Sequence, residues 1–372
     1  MRVAIRTDSS TLIGTGHVMR CLTLAKQLRQ NQAEVVFISR AHNGNIISEI
    51  ELNGFQVFRL ESSTPTTPIP IPVPVPEKFY AQWLGVSTKH DAEQTSDAMQ
   101  RFGSVDWLIV DHYALDIDWE VNMRSHAKNV MVIDDLANRS HDCNILLDQN
   151  LYPNSRSLYS YLVPSDCELL LGPQYALLRD EFRKAKKRIR PRSGDINKIL
   201  IFFGGTDPHN LTSRALHALK QVNRHDLRVD VVVGETNPHR NEIQVITELI
   251  PGCRYHCQIK NMAEKMVNAD LSICAGGTTT WERAYLGLPA LTVIMAENQR
   301  QMTESVAATG ACINLGWHES VTSRSIAEAI NDALVSREKL ARMSICALSL
   351  FEENDKTGAE AVASLIMEKS CV

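Results

Sequence analysis

The chain has 372 residues, 44% of them apolar and 22% charged. This excludes a wholly disordered chain and leaves material for two cores, since one domain takes roughly 150 residues. Basic and acidic residues number 39 and 43, a net charge of −4, which gives no global drive toward nucleic acid or an anionic membrane.

In chain order, the opening MRVAIRTDSS reads as a strand over Arg2–Arg6 rather than a signal peptide. No apolar run reaches the roughly 20 residues that span a bilayer, so the expected compartment is the cytoplasm. Further strands are expected at Glu34–Ser39, Phe55–Leu60, Asp106–Asp111, Val130–Asp134, Ile145–Asp148 and Leu169–Leu171. The second half offers Lys198–Phe203, Arg228–Val233, Asp270–Cys274 and Ala290–Met295. Amphipathic helical segments lie between them. Several of these strands lack polar alternation, as expected when helices cover both faces of a parallel sheet. The fold class is therefore α/β, with two Rossmann-like, doubly wound domains. The expected division is 1–190 and 191–372, because the basic run at 183–194 ends one helix and precedes a new strand. That run is read as a solvated interdomain connection rather than a nucleic-acid site. Six of the 14 prolines fall at 64–76, which reads as an extended loop insertion.

The first strand runs into Ser9–Arg20, where Gly14 and Gly16 precede a helix with apolar residues at Val18, Cys21, Leu22, Ala25 and Leu28. This is the carboxyl edge of a parallel sheet, where α/β proteins place ligands. His17 sits at the first helical turn. The dipole there attracts anions and disfavours an imidazolium, which suits a general base. Gly14 and Gly16 lack the third glycine of a dinucleotide fingerprint, the second strand runs into Ser39 and Arg40 with no acidic end, and no Walker lysine is present. Asp111, His112 and Tyr113 end a later strand at the same edge. Asp134, Asp135, Asp148 and Asn150 extend that polar rim.

In the second half, Gly204 and Gly205 close a strand, with Thr206 or Asp207 expected as helix cap and Pro208 near the first helical position. Gly276, Gly277 and Thr278 open another helix with free amides suited to a pyrophosphate. Glu282, one turn on, is placed to accept hydrogen bonds from ribose hydroxyls, or else is a solvated helix residue. Asn298 and Gln299 follow a strand and are candidates for orienting a polar substrate. The nine cysteines are scattered and odd in number, which argues against a disulfide framework. Cys253, His256 and Cys257 lack the second ligand pair a zinc site needs, so the two cysteines read as buried or surface thiols.

These motifs keep the order found in one family. Arg6–Ser10, Ile13–Arg20, Asp111–Tyr113, Ile133–Asp135, His141–Cys143, Leu147–Asn150, Gly172–Arg179, Phe203–Asp207, Gly276–Glu282 and Glu297–Gln299 together resemble the UDP-sugar hydrolases of pseudaminic acid biosynthesis. The resemblance implies a GT-B fold, related to the murein-precursor N-acetylglucosaminyltransferase. It implies hydrolysis of the sugar C1–O bond of UDP-2,4-diacetamido-2,4,6-trideoxy-β-L-altropyranose with inversion, with His17 as base and Tyr113 and Asn298 near the sugar. It puts Gly276, Gly277 and Glu282 on the UDP side and brings Ile259 and Met262 to the uracil through backbone groups. Gly14, Gly16, Asp111, Asn150, Arg179, Gly204, Gly205, Thr206, Thr278 and Gln299 complete the substrate contacts. The implied partner is this small molecule, with no cofactor, metal, nucleic acid or membrane, and a monomer is favoured. Two alternatives stay open: a GT-B glycosyltransferase passing the sugar to an acceptor, and a non-catalytic nucleotide-sugar-binding regulator.

Overall fold

A computed structural model describes residues 1–62, 79–222, 224, 226–351 and 358–370. The proline-rich stretch at 64–76 lies outside them. The chain divides into two units, one formed by Met1–Leu178 with Asn354–Val372 and the other by Arg179–Glu353.

The first unit holds seven strands: β1 (Arg2–Thr7), β2 (Glu34–Arg40), β3 (Gln56–Leu60), β4 (Val105–Asp111), β5 (Ala127–Ile133), β6 (Ile145–Asp148) and β7 (Glu168–Leu171). They form one parallel sheet in the order β3-β2-β1-β4-β5-β6-β7. Alternation along β1 explains how it is buried on both faces. Val3 and Ile5 pack with Val18, Leu22 and Ala25 of the helix Gly16–Gln30 and with Val362 and Ile366 of the helix Gly358–Lys369. Ala4 faces the other way, toward Ala98, Met99 and Trp119.

The second unit holds β8 (Lys198–Phe202), β9 (Arg228–Val233), β10 (Cys253–Cys257), β11 (Leu271–Ala275), β12 (Ala290–Ile294) and β13 (Ile313–Trp317). Its sheet is also parallel, in the order β10-β9-β8-β11-β12-β13. The core joins Ile199, Ile201, Val231, Ile273 and Leu291 to Leu211 and Leu216 of one helix and Ile326 and Ile330 of another. In each sheet the strand order reverses once, between β1 and β4 and between β8 and β11. Such switch points leave a crevice at the carboxyl ends of the strands.

Three features depart from the sequence reading. Strands β10 and β13 are additional, and both lie at sheet edges. The break falls at 178/179 rather than 190/191. The helix Asp180–Lys186 packs within the second unit, where Ala263 donates its amide to Glu181 and Lys186 donates to the Tyr285 carbonyl at 2.8 Å. The basic run anchors this start of the unit: Arg192 donates to the carbonyls of Gly287 and Met266. The last helix returns to the first unit because its apolar face completes that core.

Candidate functional site

In the first unit the switch point brings together the loop after β1 and the end of β4. Gly14 has φ +80°, a conformation open to glycine, and its amide donates to the Ser10 carbonyl to close the loop. The helix starts at Gly16, so His17 is its second residue. The amides of Gly16, His17 and Val18 make no hydrogen bond among the described residues, which leaves donors at the dipole's positive end.

His17 is fixed from behind. Its Nδ1 lies 2.6 Å from Asp111 Oδ1. A neutral ring donates its Nδ1 hydrogen to that carboxylate and keeps a lone pair on Nε2, which has no partner among the described residues. Arg20, one turn on, grips Asp111 with two bonds, Nε to Oδ2 at 2.6 Å and Nη2 to Oδ1 at 2.7 Å. Its Nη1 reaches Asp135 Oδ2 at 3.0 Å, and Asp135 Oδ1 accepts from the Tyr113 hydroxyl. Burial pushes the Asp111 carboxyl up, but the Arg20 charge and then His17 outweigh it and hold it far below the usual carboxylate range. Burial, then the Asp135 charge, push the Tyr113 phenol well above its usual value, so it stays a donor.

An aromatic wall flanks the imidazole. Tyr113 meets it edge-on with centroids 4.6 Å apart, and Trp83 stacks on Tyr113 at 5.4 Å. Tyr80 sits edge-on to both. Asn150 joins the same rim at one remove: its Nδ2 donates to the Tyr152 hydroxyl at 3.2 Å, which donates to the Asp135 carbonyl at 3.1 Å. His112 does other work. Its Nδ1 accepts the Ala114 amide, and its Nε2 lies 3.3 Å from Asp8. Asp8 is bound by Arg6 at 2.5 and 2.8 Å, and Asp91 is shared by Arg6 and Arg40, all buried.

In the second unit the switch point brings together the loops after β8 and β11. Gly204 has φ +90°, and a Cβ at Gly204 or Gly205 would meet nothing within 4 Å, so this loop presents bare backbone. The amides of Gly204, Gly205 and Thr206 make no hydrogen bond among the described residues. Neither Thr206 nor Asp207 is the flanking cap residue. The helix runs Leu211–Leu219 behind Asn210, and Asp207 caps it from three residues earlier by accepting from Leu211 N at 2.9 Å and Thr212 N at 2.8 Å. Pro208 therefore precedes the helix rather than starting it. After β11, the amides of Gly277, Thr278 and Thr279 are unpartnered among the described residues. Gly276 is tight, since a Cβ there would lie 2.0 Å from Thr303 Oγ1. Gln299 braces the loop after β12 by accepting the Met295 amide at 3.1 Å, and a Cβ on Gly277 would lie 3.4 Å from its Nε2. Asn298 has no side-chain partner among the described residues.

Glu282 is not a solvated helix residue. Arg179 donates to its Oε1 from Nε at 3.2 Å and from Nη2 at 3.0 Å, and Oε2 has no partner among the described residues. Burial raises the Glu282 carboxyl against the pull of Arg179. Met262 is buried in its helix, and Ile259 lies on the loop before it. His256 pairs with Asp230 at 2.7 Å beside Lys265, so it serves an ion-pair cluster on the sheet's edge.

The predicted residues thus fall into two sets. Gly14, Gly16, His17, Asp111, Tyr113 and Asn150 lie in the first unit. Arg179, Gly204, Gly205, Thr206, Ile259, Met262, Gly276, Gly277, Thr278, Glu282, Asn298 and Gln299 lie in the second. Sequence reasoning missed Arg20, Trp83 and Tyr80. The available signal for Arg20 was a cation three residues after His17, beside the helix's apolar stripe.

The two parallel, doubly wound α/β units make up a GT-B fold. The architecture is similar to the crystal structure of Acinetobacter baumannii MurG, with a TM-score of 0.65 at 16% identity over 99% of each chain. Residues 199–362 match the Glycosyltransferase family 28 C-terminal domain. The chain is 27% identical over 312 residues to the UDP-2,4-diacetamido-2,4,6-trideoxy-β-L-altropyranose hydrolase of Campylobacter jejuni, covering 83% of this chain and 97% of that one. It is 28% identical over 320 residues to an uncharacterized protein of Methanocaldococcus jannaschii, covering 81% of this chain but only 57% of that longer protein.

Proposed function

We propose that this protein hydrolyses a UDP-sugar at the sugar's anomeric carbon, and that the sugar is a 2,4-diacetamido-2,4,6-trideoxy-altropyranose. The carrying observation is His17, with Asp111 2.6 Å behind Nδ1 and with Nε2 unpartnered among the described residues, at a sheet's switch point. The relation to the Campylobacter hydrolase over most of both chains supports the choice of sugar. In this reading Nε2 takes a proton from water as the water oxygen attacks C1. The C1–O bond breaks, its electron pair passes to the β-phosphate, and the carbon inverts. Open amides after β8 and β11 hold the diphosphate, and Glu282 Oε2 accepts from the ribose. Tyr113 and Asn298 orient the sugar. General-base help is worth about 10²–10⁴ in rate, or roughly 3–5 kcal/mol, and the rest comes from the leaving group's environment and water placement.

A second reading has the same base deprotonate an acceptor hydroxyl, and the match to a glycosyltransferase domain favours keeping it. Incubation with the UDP-sugar alone separates the two. Stoichiometric UDP and free sugar, with ¹⁸O from labelled water in the sugar, is the hydrolase result. No turnover without an acceptor identifies a transferase, and label in UDP places attack at phosphorus and overturns both. His17→Ala is expected to lose about 10²–10⁴ of turnover while calorimetric binding of UDP persists. Hydrolysis at the wild-type rate would remove His17 from the reaction.

A further inference from the structure

Asp111 creates a problem for a base. A buried carboxylate 2.6 Å from Nδ1 stabilises an imidazolium, and an imidazolium accepts no proton. Among the described residues, the charged and titratable groups around the ring are Arg20 and Cys21 on its own helix, Asp111 and Tyr113 at the end of β4, and Asp135 after β5. Arg20 is the one cation among them. It occupies both Asp111 oxygens, and its Nη2 also lies 3.3 Å from His17 Nδ1. A charged ring would therefore stand in contact with a guanidinium. Arg20 is 95% buried by the same packing that buries Asp111 completely, so water screens this interaction little.

We propose that Arg20 is a positioning residue that offsets the Asp111 charge behind His17 and so opposes protonation of the ring, and that it links the base to Tyr113 through Asp135. With a neutral imidazole and phenol, Asp111, Asp135 and Arg20 sum to one negative charge; without Arg20 they sum to two. The inference rests on His17 acting as the base and adds what sets its proton affinity. A lysine in this place would keep the charge but lose the fork that spans two carboxylates.

The test follows the His17 Cε1 proton by NMR against pH in the full chain labelled at histidine, with His17→Gln identifying the resonance. Arg20→Met and Arg20→Gln should raise the His17 midpoint by roughly one to three units, the range that a charge within 4–6 Å produces. Arg20→Gln can still hydrogen-bond Asp111, so it stands in should Arg20→Met fail to fold. Arg20→Lys should leave the midpoint near the wild-type value while lowering kcat. The acid limb of kcat/KM should move with the midpoint. An unmoved midpoint in folded Arg20→Met or Arg20→Gln, or an equal shift in Arg20→Lys, overturns the proposal. The titration needs no substrate, so a wild-type protein that turns over no UDP-sugar would refute the proposed hydrolysis without touching the effect of Arg20 on the imidazole.

Discussion

Asp111 has no solvent contact, and both its oxygens are held, so its charge and its position are inseparable. Asp111→Asn would keep the shape but present an amide to Nδ1 and to Arg20. The ring would then be free to take the wrong tautomer, and kcat should fall by roughly 10²–10⁴. Saturating assays of UDP release measure this, and an unchanged kcat would mean that Nδ1 needs no anion. A second buried histidine bears on stability instead. His141 lies 2.7 Å from Glu120 and 3.9 Å from Asp134. Burial disfavours its charge, but the nearby Asp134 and Glu120 carboxylates prevail and push it up to about 9. A raised folded value contributes stability that is complete below about pH 6.5 and is lost as pH rises through 9, on the order of 3 kcal/mol. The deficit of His141→Gln in thermal midpoint should therefore be largest at pH 6 and shrink steadily toward pH 9.5. A constant deficit would show that His141 packs uncharged. His17 stood out because it sits at the first helical turn, at the carboxyl edge of a parallel sheet. Arg20 did not, because its carboxylate partner arrives from 91 residues away and an arginine on a helix is ordinarily solvated.

At the scale of elements, β9 was legible and its neighbour β10 was not. Arg228–Val233 carries a run of valines buried on both faces, whereas Cys253–Cys257 is a polar, half-exposed edge strand. β13 hides its pattern in a register shift opposite Thr292 and Ile294 and in Gly316 at φ +100°. The loop after β8 was found through its glycine pair, but its support was not. Gly234, at the end of β9, packs so closely that a Cβ would lie 2.2 Å from the Gly205 carbonyl oxygen. Gly234→Ala should displace that loop from beneath. Overpacking against backbone costs about 1–3 kcal/mol, so the variant should melt earlier and bind UDP several-fold more weakly. Calorimetry reads both effects, and wild-type affinity in a folded variant would separate the loop from diphosphate binding.

For the molecule as a whole, alternation of strand and helix revealed two doubly wound units, but not that the chain visits the first of them twice. The helix Gly358–Lys369 buries Ala359, Val362, Ala363 and Ile366 against β1 and the His17 helix, and Trp107 donates to Ser370 at 2.7 Å. Sequence periodicity reports an apolar face without saying which core receives it. Each fully buried Val or Ile is worth about 1.5–3 kcal/mol, a large part of a domain's net stability. Deleting residues from 358 onward should remove hydrogen-exchange protection from β1–β7 while β8–β13 stay protected. Equal loss in both sheets would contradict the division into units.

That return has a consequence during synthesis. Every strand of the Arg179–Glu353 unit leaves the ribosome before the helix that closes the other sheet's core. The half bearing His17 is begun first and finished last, so its apolar floor at Val3, Ile5 and Val18 waits uncovered while the other half is translated. A released chain ending near residue 350 would carry the whole β8–β13 sheet and an unfinished partner.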